Sequence, residues 1–104
     1  MNYTVHQIRK AGNKVHVEHR RRYYDKINKQ YVYMTAYEYT LVNPRFIEGP
    51  LATGGLTKLY ITFKTGYECG AEARCSLKDN YNKKLGVNIA LDRINRGALA
   101  VEIL

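Results

Sequence analysis

Residues 73–96, ARCSLKDNYNKKLGVNIALDRINR, decide how this chain folds. Ser76 and Asp79 have the spacing of a capping box, with Asp where Glu or Gln is usual. A carboxylate in the first turn suits the positive end of a helix, Arg93 and Arg96 suit the negative end, and Gly97 is a natural stop. The pattern predicts a helix over 77–96, within a helical segment 76–97. Its first turns carry Lys78, Asn80, Asn82, Lys83 and Lys84, so backbone and side chains both favour an anion there.

Upstream of that segment, residues 57–64 and 67–75 read as a hairpin. Leu59, Ile61 and Phe63 alternate with Lys58, Tyr60, Thr62 and Lys64, and Thr65-Gly66 makes the turn. In the returning strand Tyr67, Cys69, Ala71, Ala73 and Cys75 share one face, whose small side chains let a helix approach closely. Residues 31–42, YVYMTAYEYTLV, read as one strand with both faces apolar or aromatic, hence covered on both sides. Asn43-Pro44 ends it, and 43–56 is an irregular, Gly- and Pro-rich connection of a length that usually signals function or mobility. Residues 3–9 and 14–23 read as two strands joined at Ala11-Gly12-Asn13, making a basic N-terminal hairpin over 1–30. Residues 98–104 alternate as a terminal strand. The expected fold is α+β, an antiparallel sheet built from hairpins with one long C-terminal helix packed on it, the sheet proper occupying 31–75.

At 104 residues the chain makes one domain with one core. Eight of the 17 basic residues lie within residues 1–29 against two acids there, an imbalance that points to a phosphate-bearing partner. The ten tyrosines offer flat faces for bases, though tyrosine is also an ordinary strand residue. No apolar run is long enough to span a membrane and no signal-peptide pattern is present. In the helical segment Leu77, Tyr81, Leu85 and Ile89 form one apolar stripe and Val87, Leu91, Ile94 and Ala98 another. Two stripes imply burial on two sides, one of them by a partner subunit. Gly86, costly inside a helix, calls for close packing.

No catalytic constellation is visible. Cys69 and Cys75, six residues apart on one strand, would stand roughly 20 Å apart, beyond disulfide or shared-metal reach, and read as small buried side chains of an intracellular protein. His16 and His19 would face opposite sides of a strand and cannot chelate together. What survives is anion recognition. Arg74 precedes the helix, Asn80, Asn82, Lys83 and Lys84 sit on its first turns, and Arg93 follows. Asparagine reads a base edge while arginine clamps phosphate oxygens. Arg45 and Phe46, in the irregular connection, are candidates to line a ligand site.

The stretch GGLTKLYITF, a hairpin, and then ARCSLKDNYNKKLGVNIALDR resembles a pattern of small phage proteins. That pattern runs Gly-Gly-x-Thr, strand, turn, strand, Ala-x-Cys-Ser-x-x-Asp-x-Phe-Asn-Lys-Lys-x-Gly-Arg-x-Ile-Ala-x-x-Arg. It is similar to the first type of phage Thoeris anti-defence proteins, which are nucleotide sponges, and covers Gly54 to Arg93. Tyr81 replaces the phenylalanine, and Val87 replaces the arginine after Gly86, removing one possible phosphate ligand. The resemblance implies a non-enzymatic homo-oligomer, without cofactor or metal, in the cytoplasm of the infected bacterial host. It would bind a cyclic ADP-ribose-type signal, and by the family's range cyclic oligonucleotides, without hydrolysis. Arg74 and Arg93 would then hold phosphate, Asn80 or Asn82 would read ribose or base, and Phe46 would stack on the base. The rival expectation is a basic nucleic-acid-binding or anti-CRISPR-type phage protein using the N-terminal segment and Arg20-Arg21-Arg22 beside Tyr23 and Tyr24. A third is a structural phage protein whose two-striped helix only mediates assembly.

Overall fold

The computed structural model describes residues 3–97. The fold is α+β: a five-stranded antiparallel sheet with helices, the longest helix near the C-terminus. The chain runs α1 (Val5–Lys10), β1 (Lys14–Asp25), β2 (Gln30–Met34), α2 (Ala36–Thr40), β3 (Ile47–Glu48), β4 (Thr53–Thr62), β5 (Glu68–Asn80) and α3 (Lys83–Asn95). Strand order is β2-β1-β4-β5, with β3 pairing to the end of β1. Strand β1 changes neighbour along its length: Lys14–Arg20 pair with β4, whereas Arg21–Asp25 pair with β2.

Four sequence expectations are corrected. Residues 3–9 are not a strand, and the N-terminal segment is not a hairpin. Thr4 caps α1, accepting from the Gln7 backbone N–H while the Gln7 side chain accepts from the Thr4 N–H. That reciprocal pair satisfies two orphan donors and outweighs the weak alternation of the segment. The helix buries Ile8 in the core, and Gly12, with φ +94°, turns the chain into β1.

Residues 31–42 are not one strand either. The same device, Thr35 with Glu38, ends β2 at Met34 and starts α2. Nor is this segment covered on both sides: Tyr31, Tyr37 and Leu41 are exposed. In the third case, the connection over 43–56 is shorter than expected because β3 and the first residues of β4 fall inside it.

The fourth correction concerns the opening stretch. Strand β5 continues through Ser76 and Asp79 to Asn80, which pairs with Thr53 across a register shift at Thr53/Gly55. Ser76 and Asp79 therefore cap nothing. Asn82 is the cap, accepting from the Leu85 backbone N–H at 3.0 Å, and α3 begins at Lys83. Of the two stripes read on one helix, Leu77 and Tyr81 precede α3. The terminal strand expected over 98–104 lies outside the described residues.

The hairpin of β4 and β5 is present and longer than expected. Alternation gives the sheet two unlike faces. On the inner face lie Val15, Val17, His19 and Arg21 of β1, Thr57, Leu59 and Ile61 of β4, and Cys69, Ala71 and Ala73 of β5. Helices α1 and α3 cover it with Ile8, Ala90 and Ile94. The small residues of β5 let α3 approach, and Gly86 meets Thr57 directly. No disulfide joins Cys69 and Cys75, and both are only partly buried.

Candidate functional site

Where β5 ends and α3 begins, strand and helix diverge and leave a cleft of about 360 Å³. Asn80, Tyr81, Asn82, Leu85 and Ile89 line it beside Ala73 and Cys75. The volume lies near the lower end of the range for small-molecule sites. Asn82 caps α3, its side-chain oxygen accepting from the Leu85 N–H. Lys83 and Lys84 occupy the first turn of that helix. A helix N-terminus followed by two ammonium groups favours an anion electrostatically.

Beneath the cleft lies a polar network that the sequence reading missed. The Tyr81 hydroxyl stands 2.7 Å from Thr57 Oγ1, 2.8 Å from His19 Nδ1 and 3.2 Å from the Leu56 carbonyl. Thr57 is fully buried, and the Arg21 guanidinium lies 5.2 Å from the centre of the Tyr81 ring. Burial, and secondarily the charge of Lys83, holds the His19 pKa below its ordinary value. Burial raises that of Tyr81, against the Thr57 hydrogen bond and Arg21. A hydroxyl has one proton to donate. A bare Nδ1 accepts from the Tyr81 or Thr57 hydroxyl, whereas a protonated Nδ1 donates to one of them and leaves the Tyr81 hydroxyl to donate to the Leu56 carbonyl. The signal was available: Val15, Val17 and His19 share a face, and a tyrosine where the resembled pattern has phenylalanine brings a hydroxyl that needs partners when buried.

The predicted site residues divide. Asn80 and Asn82 come together in the cleft lining, with the Asp79 carboxylate beside them, while Lys83 and Lys84 follow on the first turn of α3 outside that lining. Arg74 touches it from β5, but its guanidinium lies 5.7 Å from the Tyr33 ring centre on the outer face of the sheet. Arg93 donates to the Glu72 carbonyl on the free edge of β5, away from the cleft lining. Arg45 and Phe46 stand elsewhere. The Phe46 carbonyl accepts from Lys26 at 2.9 Å, beside the far end of β1. Asp25, at that end, is four residues along the strand from Arg21, roughly 13 Å. His16 and His19 fall on opposite faces, His16 stacking on Tyr60 and His19 joining Tyr81.

Among the described residues there is no group of three or more His, Cys, Asp or Glu side chains placed to hold a metal. No helix among them is long and apolar enough to cross a membrane. The chain matches no protein-family model, no curated protein and no solved structure.

Proposed function

We propose that the chain binds a small cyclic nucleotide of the ADP-ribose type in the cleft between β5 and α3 and withholds it without hydrolysis. The observation that carries this reading is the meeting of Asn80 and Asn82 in one cleft at the N-terminus of α3, whose first turn carries Lys83 and Lys84. The resemblance of residues 54–93 to the Thoeris anti-defence pattern adds the ligand class. Because Arg74 and Arg93 hold other partners, the phosphates fall to the helix N-terminus and the two lysines, the polar edges to Asn80, and the base to Leu85 and Ile89. No nucleophile or general base is needed for sequestration; affinity alone does the work.

The cleft is open on one side, where Leu85 and Ile89 are exposed. A second copy of the chain would bury these side chains and close the site. On this reading the protein is a homo-oligomeric, non-enzymatic phage protein acting in the cytoplasm of its bacterial host.

The test is the melting temperature of the purified protein with a panel of cyclic ADP-ribose isomers and cyclic dinucleotides. A ligand at 1,000 times its dissociation constant adds about 4 kcal/mol of stability. A large shift with one of them, followed by release of the intact molecule on heating, supports the sponge. No shift with any, or recovery of a cleaved product, overturns it.

A further inference from the structure

The face of the sheet turned away from α3 carries a different chemistry. On β2, Tyr31 and Tyr33 point to this outer face two residues apart, roughly 7 Å along the strand. Tyr33 pairs with Arg22 and Tyr31 with Tyr24. The Arg22 guanidinium lies 4.7 Å from the Tyr31 ring centre and the Arg74 guanidinium 5.7 Å from that of Tyr33. Leu56 is buried between Arg20 and Arg74, its neighbours on β1 and β5. Three strands thus contribute to one layered platform of tyrosine rings and guanidinium planes. It is open: Tyr31 keeps 58% of its surface exposed, and Tyr60, on the same face, 43%.

The charges of this face are sorted. Glu18 and Glu38 both pair with Arg20, and Glu72 pairs with Lys58. Arg22 and Arg74 have no carboxylate partner among the described residues, and Arg22 Nε is buried without a hydrogen bond. Both guanidinium groups lie over an aromatic ring instead. An open sheet face with exposed aromatic rings and two arginines without carboxylate partners, Arg22 also donating to Thr53 Oγ1 at 3.1 Å, suits a ligand that is itself alternately flat and anionic. Bases stack on tyrosine rings and on guanidinium planes alike, while the arginine N–H groups take phosphate oxygens. A duplex would not offer its base faces to such a platform.

We propose that this outer face, where Arg22 and Arg74 lie over Tyr31 and Tyr33, binds single-stranded nucleic acid. It is a second site, on the sheet face opposite the β5/α3 cleft with Arg74 bordering both, and it does not rest on the nucleotide-sponge reading.

Fluorescence polarisation with labelled 12-mers of oligo-dT and oligo-U tests it, at two or more salt concentrations. Tyr31→Ala should weaken binding about tenfold. Replacing Arg22 and Arg74 with Gln should reduce the slope of log affinity against log salt by about 1.4, the value for two phosphate contacts on a single strand. Tyr67→Ala, an exposed tyrosine outside the platform, should bind as wild type. Tighter binding of one oligomer assigns DNA or RNA, and either supports the site. Circular dichroism checks the fold, and if Arg22→Gln fails to fold, Tyr31→Ala and Arg74→Gln decide. Absence of binding by the wild-type protein, equal affinity for a duplex of the same length, or wild-type affinity in Tyr31→Ala overturns the proposal.

Discussion

Gly86 of α3 rests on Thr57 of β4 so closely that a Cβ at position 86 would stand 2.9 Å from the threonine Cβ, and closer still to its hydroxyl. Helix propensity alone favours Gly86→Ala by about 1 kcal/mol. Here the added methyl must push α3 off the sheet, and overpacking of this kind costs about 1–3 kcal/mol. Gly86→Ala should therefore lower stability by up to about 2 kcal/mol, read as a fall in the chemical-denaturation midpoint. An increase would mean that the helix can lift without loss.

The His19 network makes stability depend on pH. Its folded pKa lies below the ordinary 6.5, so the folded state binds fewer protons than the unfolded chain as this group titrates. The contribution is complete above about pH 6.5 and is lost as pH falls through the folded value. The melting temperature should decline between about pH 7 and 5, and His19→Gln should flatten that decline. Asp25, held low chiefly by the Asn28 side chain, and Glu38, held low chiefly by the Thr35 backbone N–H, act in a separate and more acid window. A slope unchanged in His19→Gln would remove His19 as the cause.

Removing the Tyr81 hydroxyl leaves Thr57 Oγ1 and His19 Nδ1 without their nearest shared partner. Thr57 Oγ1 and His19 Nδ1 stay 3.2 Å apart and keep each other as partners, so Tyr81→Phe should cost about 0.5–1.5 kcal/mol, the net value of a lost hydrogen bond. Adding His19→Leu should cost less in that background than in the wild type, because the His19–Tyr81 hydrogen bond is already gone. A double-mutant cycle measures the difference, and strict additivity would show that the two side chains are not coupled.

The position of the helix start is open to a direct comparison. Asn82→Ala removes the cap of α3 and should cost about 0.5–2 kcal/mol. Ser76→Ala and Asp79→Ala, at the sites that mimic a cap, should change stability by less than about 0.5 kcal/mol. Thermal or urea unfolding of the three variants separates the alternatives, and a larger loss at Ser76 would reinstate the earlier start.

These cases show what the sequence carried. Strong alternation placed the β4–β5 hairpin and the face on which α3 lies, because Leu59, Ile61, Cys69, Ala71 and Ala73 leave little choice of side. Local cap chemistry was harder to weigh. Thr4-x-x-Gln7 and Thr35-x-x-Glu38 both carry capping-box spacing, yet the surrounding residues also alternate, and two hydrogen bonds decided for helix in each case. Ser76-x-x-Asp79 carried a weaker version of the spacing and failed, since pairing of β5 with Thr53 claimed those residues first. In the cleft, Asn80 and Asn82 are neighbours in sequence and so were legible together, whereas Lys83 and Lys84 fall just outside its lining. Arg74 and Arg93 were not placed, because strand parity sends Arg74 to the far face and the Glu72 carbonyl draws Arg93 to the strand edge. The joining of His19, Thr57 and Tyr81 depends on three distant segments, and only the register of β1 on β4 brings them into contact.

Strand β1 exchanges one neighbour for another between Arg20 and Arg21, and the buried apolar cluster of Ile8, Leu59, Ile61, Phe63, Ala73, Ala90 and Ile94 lies wholly on the β4 side of that point. On the other side, Tyr23 stacked on Tyr39 at 4.6 Å is the main apolar anchor. The molecule is therefore divided by solidity within one continuous strand. The distal arm of β2, α2 and β3 can open to solvent while the rest stays closed, and its amides should exchange with deuterium ahead of those in β4 and β5. The cleft belongs to the rigid part and the arginine–tyrosine platform straddles the joint, so an occupant of the platform would fasten the looser arm to the firmer one.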